Sequence, residues 1–222
     1  MRGPTLSREE VDTYLGAVDW LRGIVARAEV ADAWCQPSAL DHYTVGGVAA
    51  HAVHGVLWLQ QVLNDTEPAG LKRVTVGEFF GANRMDDSQD GDPLSASLRT
   101  AAEAFALTGA PLVAAACTAS RDELVAMLST VSSTRPIPII RVPGGQVPLR
   151  EYLPTRILEV IVHGDDVVCS VPGLRAPDPP PAAVEVSLRV CVDLARARIG
   201  DLPSLRAFTR AERSLPEALR VL

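Results

Sequence analysis

The sequence lacks several features that mark particular classes of protein. Its 222 residues carry 21 basic and 27 acidic side chains, so there is no basic excess of the kind that binds nucleic acid. The longest apolar stretch, residues 45–59, is interrupted by His51 and His54 and is shorter than the ~20 residues of a membrane span. The first residues have no apolar signal-peptide core. We therefore expect a cytoplasmic protein that binds neither nucleic acid nor membrane.

Cysteine pairs are also missing. The four cysteines are far apart and form no Cys-x-x-Cys motif, which argues against a zinc ribbon and against a redox dithiol. We expect these thiols to be reduced and mostly buried, with Cys169 in the core. The composition, 47% hydrophobic with 22% charged, is that of a folded globular protein.

Helical periodicity predicts four or five long helices and one shorter helix. Ser7 and Glu10 form a capping box at the start of the first, and Ser120 and Glu123 form another at the start of the short helix. A break is predicted at residues 109–111, which contain Gly and Pro. The predicted ranges are 7–28, 44–63, 93–107, 120–131, 148–169 and 181–199.

The remaining segments predict loops and one small hairpin. Residues 66–93 are rich in glycine and aspartate and predict a long surface loop with at most one ordered turn. Residues 137–142 and 146–149 flank a Pro-Gly-Gly turn, which predicts a β-hairpin just before the helix at 148–169. Helices with such connections are typical of an all-α antiparallel bundle, and bundles build metal sites from side chains of facing helices.

One predicted helix carries an unusual polar stripe. Arg156, Glu159, His163 and Asp166 are three or four residues apart, so their side chains share one face of an otherwise apolar helix. Charged groups in such surroundings need partners, because unpaired charge in a core is costly. A metal site, a structural ion pair and a solvated face are all open explanations.

A second helix supplies further candidate ligands. His51 and His54 lie in the predicted helix 44–63, among alanine, valine and glycine. Either one could be a hydrogen-bonded core histidine. However, three of the four histidines fall on two helices, together with the carboxylate of Glu159. Two histidines and one carboxylate suit zinc or another borderline divalent ion and leave a position open for water or substrate.

Two segments resemble a known family. Residues 37–51, PSALDHYTVGGVAAH, and residues 153–167, LPTRILEVIVHGDDV, are similar to the N-terminal metal-binding domain of the mycothiol-dependent maleylpyruvate isomerase family, in the DinB-like superfamily. The resemblance covers roughly residues 5–200. It implies a DinB-like antiparallel four-helix bundle with a small β-hairpin before the fourth long helix. Residues 201–222 are then expected to be a short helical extension, with no second domain.

The resemblance also implies roles for individual residues. The metal ligands would be His51, Glu159 and His163, with Asp166 orienting the last of these and serving as the candidate catalytic group. Contacts to substrate or thiol would come from Asn83, Arg84 and Arg156.

The chain departs from the family in two respects. Tyr43 stands where the family often has tryptophan. The isomerase itself resembles a two-domain protein with a C-terminal sterol-carrier-like domain, which is not expected here.

The implied function is that of a divalent-metal-dependent thiol enzyme, with zinc as the expected ion and mycothiol or a similar thiol as co-substrate. It would be a transferase or a cis–trans isomerase acting on a small electrophile. A non-catalytic metal- or small-molecule-binding bundle is the alternative. Hydrolysis through zinc-bound water is a third hypothesis, in which Asp166 is the candidate general base. The expected partners are small molecules, and a homodimer is left open.

Overall fold

A computed structural model of the chain describes residues 4–81 and 93–209, which are mostly helical. The helices are α1 (Arg8–Val25), α2 (Ala28–Asp32), α3 (Val45–Asn64), α4 (Val76–Gly81), α5 (Pro93–Ala106), α6 (Ala110–Thr130), α7 (Leu149–Ser170), α8 (Pro181–Ile199) and α9 (Asp201–Thr209). The strands are β1 (Lys72–Arg73), β2 (Pro136–Pro138) and β3 (Gly145–Pro148).

Four long helices, α1, α3, α6 and α7, form a bundle. Helices α6 and α7 each contact both α1 and α3, so the four surround one core, while α5 packs against α3 and α8 against α7. Each bundle helix buries large side chains there, and each buried leucine contributes about 1.5–3 kcal/mol of transfer free energy. Fully buried examples are Tyr14, Leu21, Leu59, Leu124, Leu128 and Leu158. The predicted mostly-α, DinB-like bundle is confirmed.

The first and last predicted helices are present. In α1 the Ser7 hydroxyl accepts a hydrogen bond from the Glu10 backbone at 3.2 Å, and the Glu10 carboxylate accepts one from the Ser7 backbone at 2.6 Å. This is the predicted capping box. The helix ends at Val25, earlier than predicted, and the short α2 follows. Helix α8 has the predicted bounds, and α9 continues the chain to Thr209.

The predicted break after the third helix is confirmed at Gly109, but the predicted start of the next helix at Ser120 is wrong. Residues Ala110–Thr130 form one continuous helix, and Ser120, predicted as its N-cap, lies in the middle. The Ser120 side chain is buried, and its hydroxyl donates to the carbonyl of Val56 in α3 at 3.4 Å. Contact with the neighbouring helix therefore satisfies a serine whose spacing resembled a cap.

The segment predicted as a long loop contains two ordered elements. Strand β1 pairs in parallel with β3, which also pairs antiparallel with β2, so the predicted hairpin is confirmed and gains a third strand. The start of α4 is fixed by Thr75, whose hydroxyl accepts from the Glu78 backbone at 3.0 Å. Phe79 and Phe80 of α4 are buried. Two aromatic side chains thus order a stretch whose glycine content predicted a loop.

The four cysteines are free, as predicted, but the expectation that most are buried is wrong. Cys117 is buried and Cys191 half-buried, whereas Cys35 and Cys169 are exposed. Cys169 lies one helical turn after the exposed Asp165, and its Sγ is 3.9 Å from that carboxylate. It therefore belongs to the solvent face of α7 rather than to the core.

Across the described ranges, no individual helix combines the length and the apolar character needed to cross a membrane. Among the described helices, α5 and α6 have sufficient length and apolar character when they are taken together, but they meet at a bend of 108°.

Candidate metal centre

His51 is positioned by the way α3 begins. Thr44 is the N-cap, and its hydroxyl accepts from the backbone of Gly47 at 2.9 Å. The carboxylate of Glu103, on α5, accepts from the Thr44 backbone at 2.8 Å and from the Thr44 hydroxyl at 2.9 Å. A Cβ atom at Gly47 would lie 2.0 Å from the Glu103 carboxylate, so any larger residue there would displace that carboxylate. This double cap fixes the first turn of α3, and His51 follows on the second turn.

The other candidate ligands are positioned by close packing of α1 against α7. The Trp20 ring lies over Gly164, where a Cβ atom would come within 2.3 Å of it. The indole nitrogen of Trp20 donates to the carbonyl of Pro177 at 2.8 Å, which holds the ring in place. Gly164 is the residue after His163, so this contact fixes the rotation of α7 at the site.

Three potential ligand atoms converge between α3 and α7. One nitrogen of His51, one of His163 and one carboxylate oxygen of Glu159 all lie within 4.8 Å of one another. The two imidazole rings meet edge to face, with centroids 4.8 Å apart. All three residues are half-buried. The predicted stripe on α7 and the histidine on α3 therefore come together as the bundle architecture requires.

The two histidines of α3 have different surroundings. His54 is three residues further along than His51, is exposed, and lies with its ring centroid 5.9 Å from that of Phe105. It is not in the cluster that His51 forms with the α7 residues.

His163 is held from both sides. Its Nδ1 atom lies 3.0 Å from Asp166 Oδ2, and its Nε2 atom lies 3.3 Å from Glu159 Oε2. When Nδ1 carries the proton and donates to Asp166, the lone pair of Nε2 points to the cluster. Asp166 therefore lies within hydrogen-bond distance of Nδ1 of His163, while Glu159 lies beside Nε2.

Burial and charge shift the pKa values of the cluster in opposite directions. Burial, reinforced by the nearby His163, lowers the pKa of His51 to about 4. Burial alone would raise the pKa of Glu159, but Arg156 and His163 outweigh it and lower that pKa to about 2. Burial would lower the pKa of His163, yet its hydrogen bonds to Asp166 and Glu159 raise it to about 9. At neutral pH His51 is neutral, while His163 and Glu159 form an ion pair.

Arg156, predicted as a substrate contact, is enclosed by side chains of the protein. Its side chain is only 12% exposed, and its guanidinium lies 4.7 Å from the centroid of the Tyr152 ring and 5.9 Å from that of Phe79. Its Nη2 atom is 3.7 Å from Glu159 Oε1. Among the described residues, Arg156 therefore faces Glu159, which is a candidate metal ligand. Asn83 and Arg84, the other predicted contacts, lie outside the described residues.

Several residues that shape the site were not identified from the sequence. Glu103 and Trp20 are distant in sequence from the ligands they position, and nothing in their local spacing marks them. The signal that could have pointed to them is glycine within a helix, because a glycine at such a position often marks close approach of another group. Gly47 and Gly164 are the two positions where that approach occurs.

Comparison with known proteins places most of the chain in a family. Residues 15–168 match the family model of the mycothiol maleylpyruvate isomerase N-terminal domain. No curated protein and no solved structure matches the chain. The matched range contains α3 and α7 and with them His51, Glu159 and His163. On this evidence the chain belongs to the mycothiol maleylpyruvate isomerase N-terminal domain family.

Proposed function

We propose that this protein is a divalent-metal-dependent thiol enzyme. His51, Glu159 and His163 bind the ion, which we take to be zinc, and the co-substrate is mycothiol or a similar low-molecular-weight thiol. The observation that carries the proposal is the approach of two imidazole nitrogens and one carboxylate oxygen to within 4.8 Å of one another. The family match supports the choice of a thiol as co-substrate.

The donor set fits a divalent ion. Zinc bonds of 2.0–2.1 Å in a tetrahedral arrangement separate neighbouring ligand atoms by about 3.4 Å. His163 Nε2 and Glu159 Oε2 are 3.3 Å apart, so this pair is already at the separation that zinc requires. Three protein ligands of this kind are typical of catalytic zinc sites, in which a further position is left for an exogenous molecule.

The chemistry follows from the charge of the site. When bound, a zinc ion ionises a coordinated thiol near neutral pH. Asp166 keeps Nδ1 of His163 protonated, so that Nε2 stays available as a ligand. Glu159 and His163 retain exposed side-chain fractions of 24% and 18%, so small molecules can reach them.

The thiolate would attack an electrophilic carbon of a small substrate. If the attack expels a leaving group such as chloride, or adds to a double bond whose other carbon then takes up a proton, the new carbon–sulfur bond is kept and the enzyme is a transferase. If attack on an alkene is followed by bond rotation and expulsion of the thiolate, the product is a cis–trans isomer and the thiol is regenerated. Both reactions need the same ionised thiol, and the substrate decides between them.

The test begins with the metal content of protein purified without chelator. We expect one ion per chain in the wild type and in a His54→Ala control, because His54 lies on the same helix but outside the cluster. His51→Ala, Glu159→Gln and His163→Ala should each lose the ion. Loaded wild type should then accelerate the reaction of mycothiol with chlorobimane, and the three variants should not.

Two results would contradict the proposal in different ways. Wild-type protein that cannot be loaded with zinc, manganese, iron or nickel has no metal site. Protein that holds an ion in the cluster, yet accelerates no reaction of mycothiol or of other small thiols, is a metal-binding bundle without thiol chemistry.

A further inference from the structure

The two carboxylate oxygens of Glu159 face different partners. Oε2 lies 3.3 Å from His163 Nε2, on the side of the ligand cluster. Oε1 lies 3.7 Å from Nη2 of Arg156, which is one helical turn earlier on α7. One oxygen therefore faces His163, a candidate metal ligand, and the other faces the positive charge of Arg156.

The guanidinium of Arg156 is held by two aromatic rings and a hydrogen bond. The Tyr152 ring lies against it, with the carbon of the guanidinium 4.7 Å from the ring centroid. The Phe79 ring of α4 lies 5.9 Å from the same carbon and beside Tyr152, since the two ring centroids are 6.2 Å apart. Its Nε atom donates to the hydroxyl of Thr155 at 3.3 Å. Tyr152 and Phe79 are both buried, so neither ring is free to release the guanidinium. An arginine packed against buried aromatic rings keeps its charge and direction at little entropic cost.

From this arrangement we infer that Arg156 is a positioning residue that makes Glu159 a one-oxygen ligand. The inference rests on the proposed function. By engaging Oε1, the guanidinium prevents the carboxylate from binding the ion through both oxygens. The coordination position that a second oxygen would fill is then kept for the thiol. Arg156 would thus control how many positions of the ion remain open, without touching the substrate.

The test uses the loaded full-length protein and measures coordination rather than turnover. X-ray absorption at the zinc edge counts the light atoms bound to the ion, and visible absorption of the cobalt-substituted protein reports the same number independently. Arg156→Gln removes the charge, and Arg156→Lys keeps a positive charge near Oε1. Arg121→Gln is the matched control, because Arg121 forms a half-buried ion pair with Asp19, between α6 and α1, at 2.9 Å.

We expect wild type, Arg156→Lys and Arg121→Gln to share one coordination number and intense cobalt bands. Arg156→Gln should gain one oxygen neighbour, lose those intense bands, and lose the sulfur-to-cobalt band that β-mercaptoethanol produces in wild type. Rescue by lysine separates a charge effect from a packing effect.

The outcomes are distinguishable. If the ion in the wild-type protein already binds both oxygens of Glu159, the inference is wrong. This measurement does not depend on whether Arg156→Gln folds. An Arg156→Gln protein with wild-type spectra also overturns it. Both results leave the proposed thiol function intact, whereas a wild type that takes up no ion overturns the inference and the proposed function together.

Discussion

Nδ1 of His163 lies 3.0 Å from Oδ2 of Asp166, three residues further along α7. The main-chain carbonyl of Asp166 accepts a hydrogen bond from the Ser170 hydroxyl at 2.6 Å. That hydroxyl in turn accepts from the backbone of Ala39 at 2.8 Å, in the segment before α3. Asp166 is therefore connected through Ser170 to the segment that leads into the helix carrying His51.

Removing the Asp166 carboxylate should weaken metal binding without abolishing it. Asp166→Ala frees the His163 ring to rotate and to change tautomer, and loss of such a partner typically costs 10–100-fold in metal affinity. The measurement is a zinc titration against a competing chelator. Asp165→Ala is the control, because that neighbouring carboxylate is exposed and faces away from the ring. Equal affinities in the two variants would contradict an orienting role for Asp166.

Metal loading should release about one proton near neutral pH. His163 is protonated in the metal-free protein, because its hydrogen bonds to Asp166 and Glu159 raise its pKa to about 9. Its nitrogen must be neutral to bind an ion. His51, with a pKa lowered to about 4, is already neutral and contributes no proton. Calorimetric titration of zinc in two buffers of different ionisation enthalpy measures the release. Apparent affinity should fall about tenfold for each pH unit below about 9.

The proton-release experiment has a direct counter-result. If the heat of zinc binding at pH 7.5 is the same in both buffers after dilution is subtracted, His163 is neutral in the free protein, and its ion pair with Glu159 is not formed.

Stability of the metal-free protein should pass through a maximum near pH 6.5. The raised pKa of His163 stabilises the folded state fully below 6.5, and this contribution is lost as the pH rises through about 9. The lowered pKa of His51 acts in the other direction, since the unfolded chain takes up the proton first as pH falls from 6.5 to about 4. Urea denaturation with chelator present, at a series of pH values, measures the free energy of unfolding. A His163→Asn variant should lose the decline between pH 6.5 and 9.

Much of the fold was predictable because its signals are local. The capping box at Ser7, the apolar periodicity of α3 and α7, and the turn between β2 and β3 each depend on residues close in sequence. The predicted cap at Ser120 was wrong because the same residue pattern also suits a buried serine that donates to a neighbouring helix. The contact between Ser120 and α3 is tertiary, and the local spacing of residues carries no information about it.

Residues of the candidate site were likewise predictable only where their signals are local. His51, Glu159, His163 and Asp166 follow from polar residues at helical spacing among apolar ones, together with the resemblance. Glu103, which caps α3 from α5, is far from them in sequence and carries no local signal. The guanidinium of Arg156 lies near the ring of Phe79, which belongs to a segment that was predicted to be a loop. What could not be predicted is the set of groups that hold the ligands, because each comes from a separate element.

The last prediction concerns the cap itself. Gly47→Ala would place a Cβ atom 2.0 Å from the Glu103 carboxylate, so Glu103 must leave and Thr44 loses two hydrogen bonds. Loss of these two hydrogen bonds costs on the order of 1–3 kcal/mol, against which alanine in the helix contributes about 1 kcal/mol. Gly55→Ala is a matched control on the same helix, since a Cβ there meets nothing within 4 Å. That change should stabilise the protein by up to about 1 kcal/mol, because alanine is the better helix former. Urea denaturation and zinc affinity of both variants provide the measurement. If Gly47→Ala is as stable and binds zinc as tightly as Gly55→Ala, Glu103 does not fix the turn that positions His51.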